Sequence, residues 1–250
     1  MVHLLPLLGA HRPAAMEAVI AAARRDAGRL AEAGFDALIV ENYGDAPFLP
    51  GAVEPVTVAA LARVMSAVRD EVGELALGVN VLRNDARSAL GLAAACGLQA
   101  IRVNVHAGAR VTDQGVLEGR AWETLRLRSA WGADDVAIWA DIRVKHSAPL
   151  GGARPAAEEV AEAVERGGAD AVIVTGPGTG LPVDPVELEA VCRASEAPVL
   201  VGSGVSVESV GAILAHAAGA IVGTATKEGG VTTAPVDLAR ARAIVAAAGL

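Results

Sequence analysis

The feature that most constrains the fold of this 250-residue chain is an eightfold alternation of short apolar runs with longer amphipathic segments. Short apolar runs predict buried strands, and apolar residues at helical spacing predict the helices between them. The predicted strands are 2–8, 36–42, 75–81, 100–106, 136–144, 170–175, 198–203 and 220–224. The predicted helices are 13–33, 54–72, 85–96, 118–131, 155–167, 184–195, 206–217 and 236–248. Strands that alternate with helices indicate an α/β protein with a parallel sheet.

Eight strand–helix units in 250 residues match the (β/α)8 barrel in both count and length. The alternative is an open, doubly wound sheet, in which a glycine-rich turn normally follows the first strand. The corresponding segment here, LLPLLGAHRP, contains no GxGxxG pattern. No linker or low-complexity segment divides the chain. We therefore predict a single (β/α)8 TIM barrel that spans residues 1–250.

Charge and composition exclude several classes of partner. A net charge of −8 argues against a general surface for nucleic acid or anionic lipid. The first residues lack the charged start of a secretory signal, and 209–226 divides into a helix and a strand rather than a membrane span. Cys96 and Cys192 are expected to be structural thiols. We expect a cytoplasmic protein without a membrane span, whose alanine-rich helices would permit a homo-oligomer.

Rare residue types mark one face of the predicted barrel. Nineteen of the 21 basic residues are arginine, so lysine is nearly absent. An arginine cannot replace a primary ammonium group or an amide at a site that needs one. All four asparagines and both lysines fall at the ends of predicted strands: Asn42, Asn80, Asn84, Asn104, Lys145 and Lys227. The catalytic face of a barrel is the C-terminal end of its strands, so these residues predict a functional face. Chance survival of rare types is the alternative.

Strand alternation predicts which polar side chains converge inside the barrel. Arg102, Asn104 and His106 share one face of the fourth strand. Asp141, Arg143 and Lys145 would likewise share a face in and after the fifth strand. The candidate acid/base and positioning residues are therefore Asp141, Lys145, His106, Asn80, Asn104, Glu41, Asn42 and Asp45. The alternative is that these groups only satisfy one another.

The evidence for a metal or cofactor is weaker. Glu41, His106, Asp141 and His146 offer metal-ligand chemistry, but no HExxH-like spacing fixes them. The sequence requires no cofactor, and a divalent cation such as Mg²⁺ is left open.

Glycine-rich segments after strands six, seven and eight predict a phosphate site. VTGPGTGLPVD, LVGSGVS and IVGTATKEGG let backbone N–H groups approach an anion, and barrels often bind phosphate at loops seven and eight. The candidate ligand-binding residues are Thr175, Gly176, Gly202, Ser203, Gly204, Gly223, Thr224 and Lys227, with Thr179 and Gly180 beside them. Arg83 and Arg120 are further candidates for anion binding. Plain tight turns are the alternative.

The chain resembles the BtpA family in VENYGDAPF, LGVNVLRNDA, IRVNVHAGARVTDQGVLEGRA, DIRVKHSAPLG, VTGPGTG, VLVGSGV and IVGTATK. The resemblance implies a barrel related to the ribulose-phosphate-binding barrels, and it carries the label photosystem I biogenesis. By resemblance, the family's motif positions are Asn42, Asp45, Asn80, Arg83, Asn84, Asp85, Asn104, His106, Asp113, Glu118, Asp141, Lys145 and His146. One departure is Arg143, where the family pattern DVHVKH implies a histidine.

Two functions follow as hypotheses. The first is an enzyme that acts on a small phosphorylated ligand, a sugar phosphate or nucleotide-like glycoside, by acid/base lyase, isomerase or glycosidic-cleavage chemistry. A Schiff base at Lys145 is a further route. The alternative is a non-catalytic assembly factor, as the family label implies. Such a factor would need an exposed apolar surface, which no segment plainly supplies.

Overall fold

The computed structural model describes residues 1–176, 178 and 180–249. Its strands are β1 (Val2–His3), β2 (Ala37–Glu41), β3 (Ala76–Asn80), β4 (Ala100–Val103), β5 (Ala109–Thr112), β6 (Gly115–Glu118), β7 (Ala137–Ile142), β8 (Ser147–Pro149), β9 (Ala171–Val174), β10 (Val199–Val201) and β11 (Gly219–Ala220). Its helices are α1 (Met16–Ala33), α2 (Pro55–Val72), α3 (Ala86–Cys96), α4 (Ala121–Ala130), α5 (Ala156–Ala161), α6 (Pro185–Ala194), α7 (Val210–Leu214) and α8 (Leu238–Ala248).

Eight strands form one curled parallel sheet in the order β1-β2-β3-β4-β7-β9-β10-β11. The backbone nitrogen of Met1 donates to the carbonyl of Val222, 2.8 Å away, which joins the first strand to the segment that follows the last. The helices between consecutive strands pack outside this sheet, as parallel connections require. The predicted α/β barrel is therefore confirmed.

Alternation along the strands divides the barrel interior into an apolar layer and a polar layer. Ile39, Ile173 and Ile221 pack with Trp139 and Leu200 in one cluster. Side chains two positions apart on a strand share a face, so the residue two positions later points to the same interior, closer to the C-terminal end. These pairs are Met1 and His3, Ile39 and Glu41, Gly78 and Asn80, Ala100 and Arg102, Trp139 and Asp141, Ile173 and Thr175, Leu200 and Gly202, and Ile221 and Gly223. The polar layer forms the floor of the barrel mouth.

The helices cover the outer face of the sheet through regular apolar stripes. In α1, Val19, Ala23, Ala27 and Leu30 recur at helical spacing, and all four are buried. The helix ends at Gly34, whose φ of 96° is a left-handed conformation that favours glycine. None of the helices in the described ranges combines the length and the apolar character needed to cross a membrane.

Several elements differ from the sequence predictions. The strands are shorter than predicted, and β4 ends at Val103 rather than at residue 106. The helix predicted from 206 begins at Val210. A turn precedes it, in which the carbonyl of Ser206 accepts the N–H groups of Ser209 and Val210. The segment between the predicted fourth strand and the helix predicted from 118 forms β5 and β6, and β8 joins them in a three-stranded antiparallel sheet, β6-β5-β8.

Lys227 occupies a position that the sequence did not predict. A 3₁₀ turn, Thr224–Thr226, precedes it, and its side chain is buried beneath α1. Its Nζ donates to Oδ2 of Asp26 at 3.1 Å, while Oδ1 of Asp26 accepts from Arg25 and from the N–H of Val236. A charge buried in this way is stable only while its partner is present. The prediction that this ammonium binds phosphate disagrees with its position.

Lys227→Met should lower the free energy of unfolding by about 1–3 kcal/mol, because it leaves Oδ2 of the buried Asp26 carboxylate without a donor, while Arg25 still pairs with Oδ1. Urea denaturation followed by circular dichroism measures this change. Arg193→Met is the matched control, since Arg193 pairs with Glu189 at the surface, where such a pair contributes about 0.2–1 kcal/mol. Equal losses in the two variants would contradict a stabilising role for the buried pair.

Candidate functional site

A cavity of about 220 Å³ lies at the C-terminal end of the strands. We call it the mouth cavity. Its walls come from polar residues of the strand ends and from the glycine-containing loops after β10 and β11. Its lining includes His3, Glu41, Tyr43, Arg102, Lys145, 202–206, 223–225 and Arg240. Seven predicted site residues are among them: Glu41, Lys145, Gly202, Ser203, Gly204, Gly223 and Thr224.

Arg102 and Asp141 form the most deeply buried ion pair of the mouth. Arg102 donates from Nε and Nη2 to the two carboxylate oxygens of Asp141, each at 3.1 Å, and the amide of Asn104 also donates to Asp141. Burial alone would lower the pKa of Arg102, but Asp141 and Glu41 outweigh it and raise that pKa. This guanidinium fits beside Gly202 because a Cβ there would lie 3.2 Å from its Nη2 and 2.5 Å from Ile173.

Glu41 and His3 present two hydrogen-bond acceptors to the mouth cavity. Burial lowers the pKa of His3 well below its ordinary value, so the ring is neutral near pH 7. Its Nδ1 lies 3.2 Å from the carbonyl of Thr232, which only accepts, so Nδ1 carries the proton and Nε2 is left as an acceptor. That Nε2 lies 3.8 Å from Oε1 of Glu41, whose other oxygen is held by Asn80 at 2.7 Å.

Nε2 of His3 and Oε1 of Glu41 both accept, so a ligand needs two donor hydrogens to satisfy them. Two neighbouring hydroxyl groups of a ligand can supply these hydrogens. Tyr43 supports the His3 ring, with ring centroids 4.9 Å apart. The sequence analysis missed His3 as a site residue, although its place at the end of the first strand would have indicated it.

Lys145 brings a primary amine to the mouth cavity. Its ammonium makes no hydrogen bond or ion pair with any of the described residues. Burial lowers its pKa below 10.5; Arg102 and Arg83 act in the same direction, while Glu41 and Asp141 oppose them. A neutral amine is therefore easier to form here than in solvent.

The backbone around Lys145 is fixed on both sides. Its N–H donates to the hydroxyl of Thr175 at 3.1 Å, and its carbonyl accepts from Arg83 at 2.9 Å. Arg83 is buried and near Asp141, and burial lowers its pKa. Ser203 then holds the next loop, because its hydroxyl accepts the N–H of Gly176 at 2.9 Å. Arg83, Thr175 and Gly176 thus shape the mouth rather than line the mouth cavity.

Backbone N–H groups of two loops are available to an anion. The N–H groups of 203–205 and 223–225 have no hydrogen-bond acceptor among the described residues, and all six residues line the mouth cavity. Gly204 has φ 70°, and a Cβ on it would lie 2.3 Å from the carbonyl oxygen of Leu181. Such an arrangement of free N–H groups favours a phosphate.

Arg240, rather than the predicted Lys227, is the cation that contacts the loop 223–225. Arg240 lines the mouth cavity, and its Nε donates to the carbonyl of Ala225 at 3.0 Å. Residue 240 falls in the helix predicted over 236–248, and nothing in the spacing of that segment indicated that α8 begins beside the mouth.

Several predicted site residues lie outside the mouth cavity. His106 is buried, and its Nε2 lies 2.8 Å from the carbonyl of Gly167. Burial lowers the pKa of His106, so its ring is neutral, and the residue does not line the mouth cavity. Its position follows from the early end of β4, after which the predicted alternation does not apply. Arg120 is exposed and pairs with Glu123 at 3.2 Å, so it clamps no ligand in the mouth. Thr179 lies outside the described residues.

Asn42 and Asp45 tie the second loop to its neighbours. Asn42 donates to Asp45 at 2.9 Å and accepts the N–H of Leu82 at 2.7 Å, while Asp45 also accepts the N–H of Leu7. Burial raises the pKa of Asp45. Both residues are in position to hold loops, not to contact a ligand in the mouth cavity.

Arg143 also points away from the mouth. It has φ 54°, a left-handed conformation that breaks the strand alternation on which its predicted inward orientation depended. Its guanidinium donates to Glu159 at 3.1 Å and Glu187 at 2.8 Å, which joins the loop after β7 to α5 and α6.

The structure does not bring the four candidate metal ligands together. Among residues 1–176, 178 and 180–249, no three His, Cys, Asp or Glu side chains form a group that could hold a metal ion. Asp141 is paired with Arg102, and His106 contacts Gly167. Within the same ranges both cysteines are free, and burial raises the pKa of each thiol.

Comparison with known proteins identifies the family. The model of the BtpA family matches residues 1–249. The chain belongs to the BtpA family. An uncharacterised protein of Thermococcus kodakarensis is 46% identical over 246 residues, which cover 98% of this chain and 92% of that protein. The photosystem I biogenesis protein BtpA of Synechocystis is 41% identical over 249 residues, which cover 99% of this chain and 86% of that protein.

A solved structure supports the same fold for this BtpA-family chain. A thiamine phosphate pyrophosphorylase from Pyrococcus furiosus superposes with a TM-score of 0.61 at 13% identity, covering 90% of this chain and 89% of that chain. At this identity the likeness shows the barrel fold alone.

The amine of Lys145 should lose its proton below pH 10.5, because burial disfavours the ammonium form. Reductive methylation with ¹³C-formaldehyde, which preserves the charge, places an NMR signal on Lys145, and Lys145→Arg identifies it by its loss. The unfolded state binds more protons between the two pKa values, so the free energy of unfolding should rise with pH in that window. A titration midpoint at or above 10.5 would contradict the assigned environment.

Proposed function

We propose that this protein is an enzyme that binds a small phosphorylated ligand, a sugar phosphate or a nucleotide-like glycoside, and transfers protons on it. One observation carries the proposal. The N–H groups of 203–205 and 223–225, which have no acceptor among the described residues, line the same mouth cavity as the Lys145 amine and the acceptors of Glu41 and His3. An anion-binding end and a proton-transfer end therefore lie within a volume suited to one small molecule.

The phosphate end combines backbone dipoles with one flexible cation. Six N–H groups can donate to phosphate oxygens without a change in protonation, and Arg240 adds a charge-assisted contact from the start of α8. In a protein of net charge −8, such local donors are what an anion needs to bind.

The proton-transfer end lies above the Arg102–Asp141 pair. Glu41 accepts protons, Nε2 of His3 accepts a hydrogen bond from a ligand hydroxyl group, and Lys145 donates or accepts according to its state. Lyase, isomerase and glycosidic-cleavage reactions all require a proton transfer beside an oxygen atom, so the site does not discriminate among them. Mg²⁺ stays an alternative aid to phosphate binding, and it is tested by including it in the binding assay.

Arg240→Ala should weaken the binding of a sugar phosphate by about tenfold, or about 1.4 kcal/mol, because one charge-assisted contact is lost. Calorimetry and thermal shift with sugar phosphates, nucleotides and their unphosphorylated counterparts measure this, with and without Mg²⁺. Arg242→Ala is the matched control, since Arg242 lies on the same helix and pairs with Glu32 at the surface.

Binding that requires the phosphate group, falls in Arg240→Ala and persists in Arg242→Ala supports the proposal. Equal binding of phosphorylated and unphosphorylated compounds would remove its basis. Binding of none of the phosphorylated compounds would favour the second candidate function.

That second candidate is a protein-binding role in photosystem I biogenesis, as the name of the Synechocystis relative implies. Val111 and Val116 favour it, because they are cross-strand partners in β5 and β6 and both side chains are exposed. A partner-binding role would be impaired by Val116→Lys and unaffected by Lys145→Met, the reverse of the result expected for an enzyme. A cytoplasmic location and a homo-oligomeric state stay predictions from the sequence.

A further inference from the structure

The two lysines of the chain occupy opposite environments. Lys227 is buried and its Nζ is 3.1 Å from Asp26, whereas Lys145 lines the mouth cavity and its amine has no partner among the described residues. The other 19 basic residues are arginine. Lys145 is therefore the side-chain amine that a ligand in the mouth can reach.

An unpaired amine is chemically different from a guanidinium at the same place. Arginine stays protonated at all physiological pH values and is not a nucleophile, but a lysine whose ammonium is disfavoured by its surroundings becomes one. Burial and the nearby cations Arg102 and Arg83 disfavour the ammonium form of Lys145, and this lowers its pKa. At Lys227 the ion pair with Asp26 favours the ammonium form, although burial still lowers the pKa of that lysine.

The position of Lys145 is fixed from three directions. Thr175 holds its N–H and Arg83 holds its carbonyl. Two residues earlier, Arg143 is anchored to α5 and α6 by Glu159 and Glu187. A nucleophile on a fixed backbone, beside a site for the phosphate of its substrate, meets the positional requirement for covalent catalysis.

We propose that Lys145 forms a Schiff base with the carbonyl carbon of a phosphorylated aldehyde or ketone. This inference rests on the proposed function and narrows its substrate to carbonyl compounds. The neutral Nζ adds to the carbonyl carbon, the C=O π electrons move to oxygen, and a proton passes from nitrogen to that oxygen. The resulting hydroxyl group then takes a second proton and leaves as water, and a C=N bond forms. No oxidant or reductant is needed.

Once the Schiff base has formed, Lys145 is no longer free to act as the base. Glu41 then lies beside the bound molecule as a proton acceptor and Nε2 of His3 as a hydrogen-bond acceptor. The developing iminium charge draws electrons from the adjacent carbon. The acceptors of Glu41 and His3 also match a hydroxyl group next to the carbonyl, which phosphorylated ketoses and aldoses carry.

Sodium borohydride tests the proposal, because hydride reduces the C=N bond to a stable secondary amine. The protein is treated with dihydroxyacetone phosphate or glyceraldehyde 3-phosphate plus borohydride, and peptides are mapped by mass spectrometry. The expected result is one adduct, at Lys145, which Lys145→Arg abolishes. Lys227 is an internal control and should stay unmodified. Thermal denaturation of Lys145→Arg verifies that the loss of the adduct does not reflect unfolding.

Two further compounds separate the failure of this proposal from that of the proposed function. Glycerol 3-phosphate carries phosphate but no carbonyl group, and it should bind without forming an adduct. Dihydroxyacetone carries the carbonyl group without phosphate, and it should give an adduct at least tenfold more slowly. Binding of the phosphorylated carbonyl compounds without an adduct at Lys145 overturns the Schiff base alone. An adduct formed equally fast without phosphate overturns the phosphate site alone, and neither binding nor adduct overturns both.

Discussion

The structure depends on the two-residue period of its strands, which fixes what can occupy the barrel interior. Each interior apolar residue, such as Ile39 or Trp139, is followed two positions later by a residue of the mouth, such as Glu41 or Asp141. The polar layer therefore rests on a dry layer that offers it no hydrogen bonds. Its polar groups must therefore hydrogen-bond with one another, as Arg102 does with Asp141 and Asn80 with Glu41. An unpaired cation is tolerated only above this layer, where Lys145 lies.

In the proposed function, an anion binds to groups that carry little net charge. The loops after β10 and β11 supply N–H groups whose geometry is set by glycines, and a single arginine enters from α8. In this proposal, neither lysine is needed to bind the anion. One stabilises the contact between α1 and the segment before α8, and the other is available for chemistry at the opposite side of the mouth cavity.

The sequence predicted the elements well where regular periodicity decides the structure. The eight parallel strands and their helices follow from alternation and from apolar stripes, and the strand ends located Glu41, Asn80 and Asp141. The predicted side-chain orientations were wrong just beyond the ends of β4 and β7. His106 lies beyond the end of β4, and the left-handed φ of Arg143 reverses its orientation. Backbone conformation outside regular elements leaves no periodic signal, so the positions of Lys227 and Arg240, which depend on a 3₁₀ turn and on the start of a helix, could not be obtained from spacing.

The small sheet β6-β5-β8 links the loops that follow β4 and β7, because its central strand pairs with both neighbours. The two loops are therefore one mechanical unit, and the segment that carries Lys145 leads directly into its third strand. A change of length in one loop would leave an unpaired strand edge in the other. The loops after β4 and β7 should therefore vary in length together among relatives, whereas the glycine-containing loops after β10 and β11 can change separately. Transplanting this side of the site into another barrel would require both segments at once.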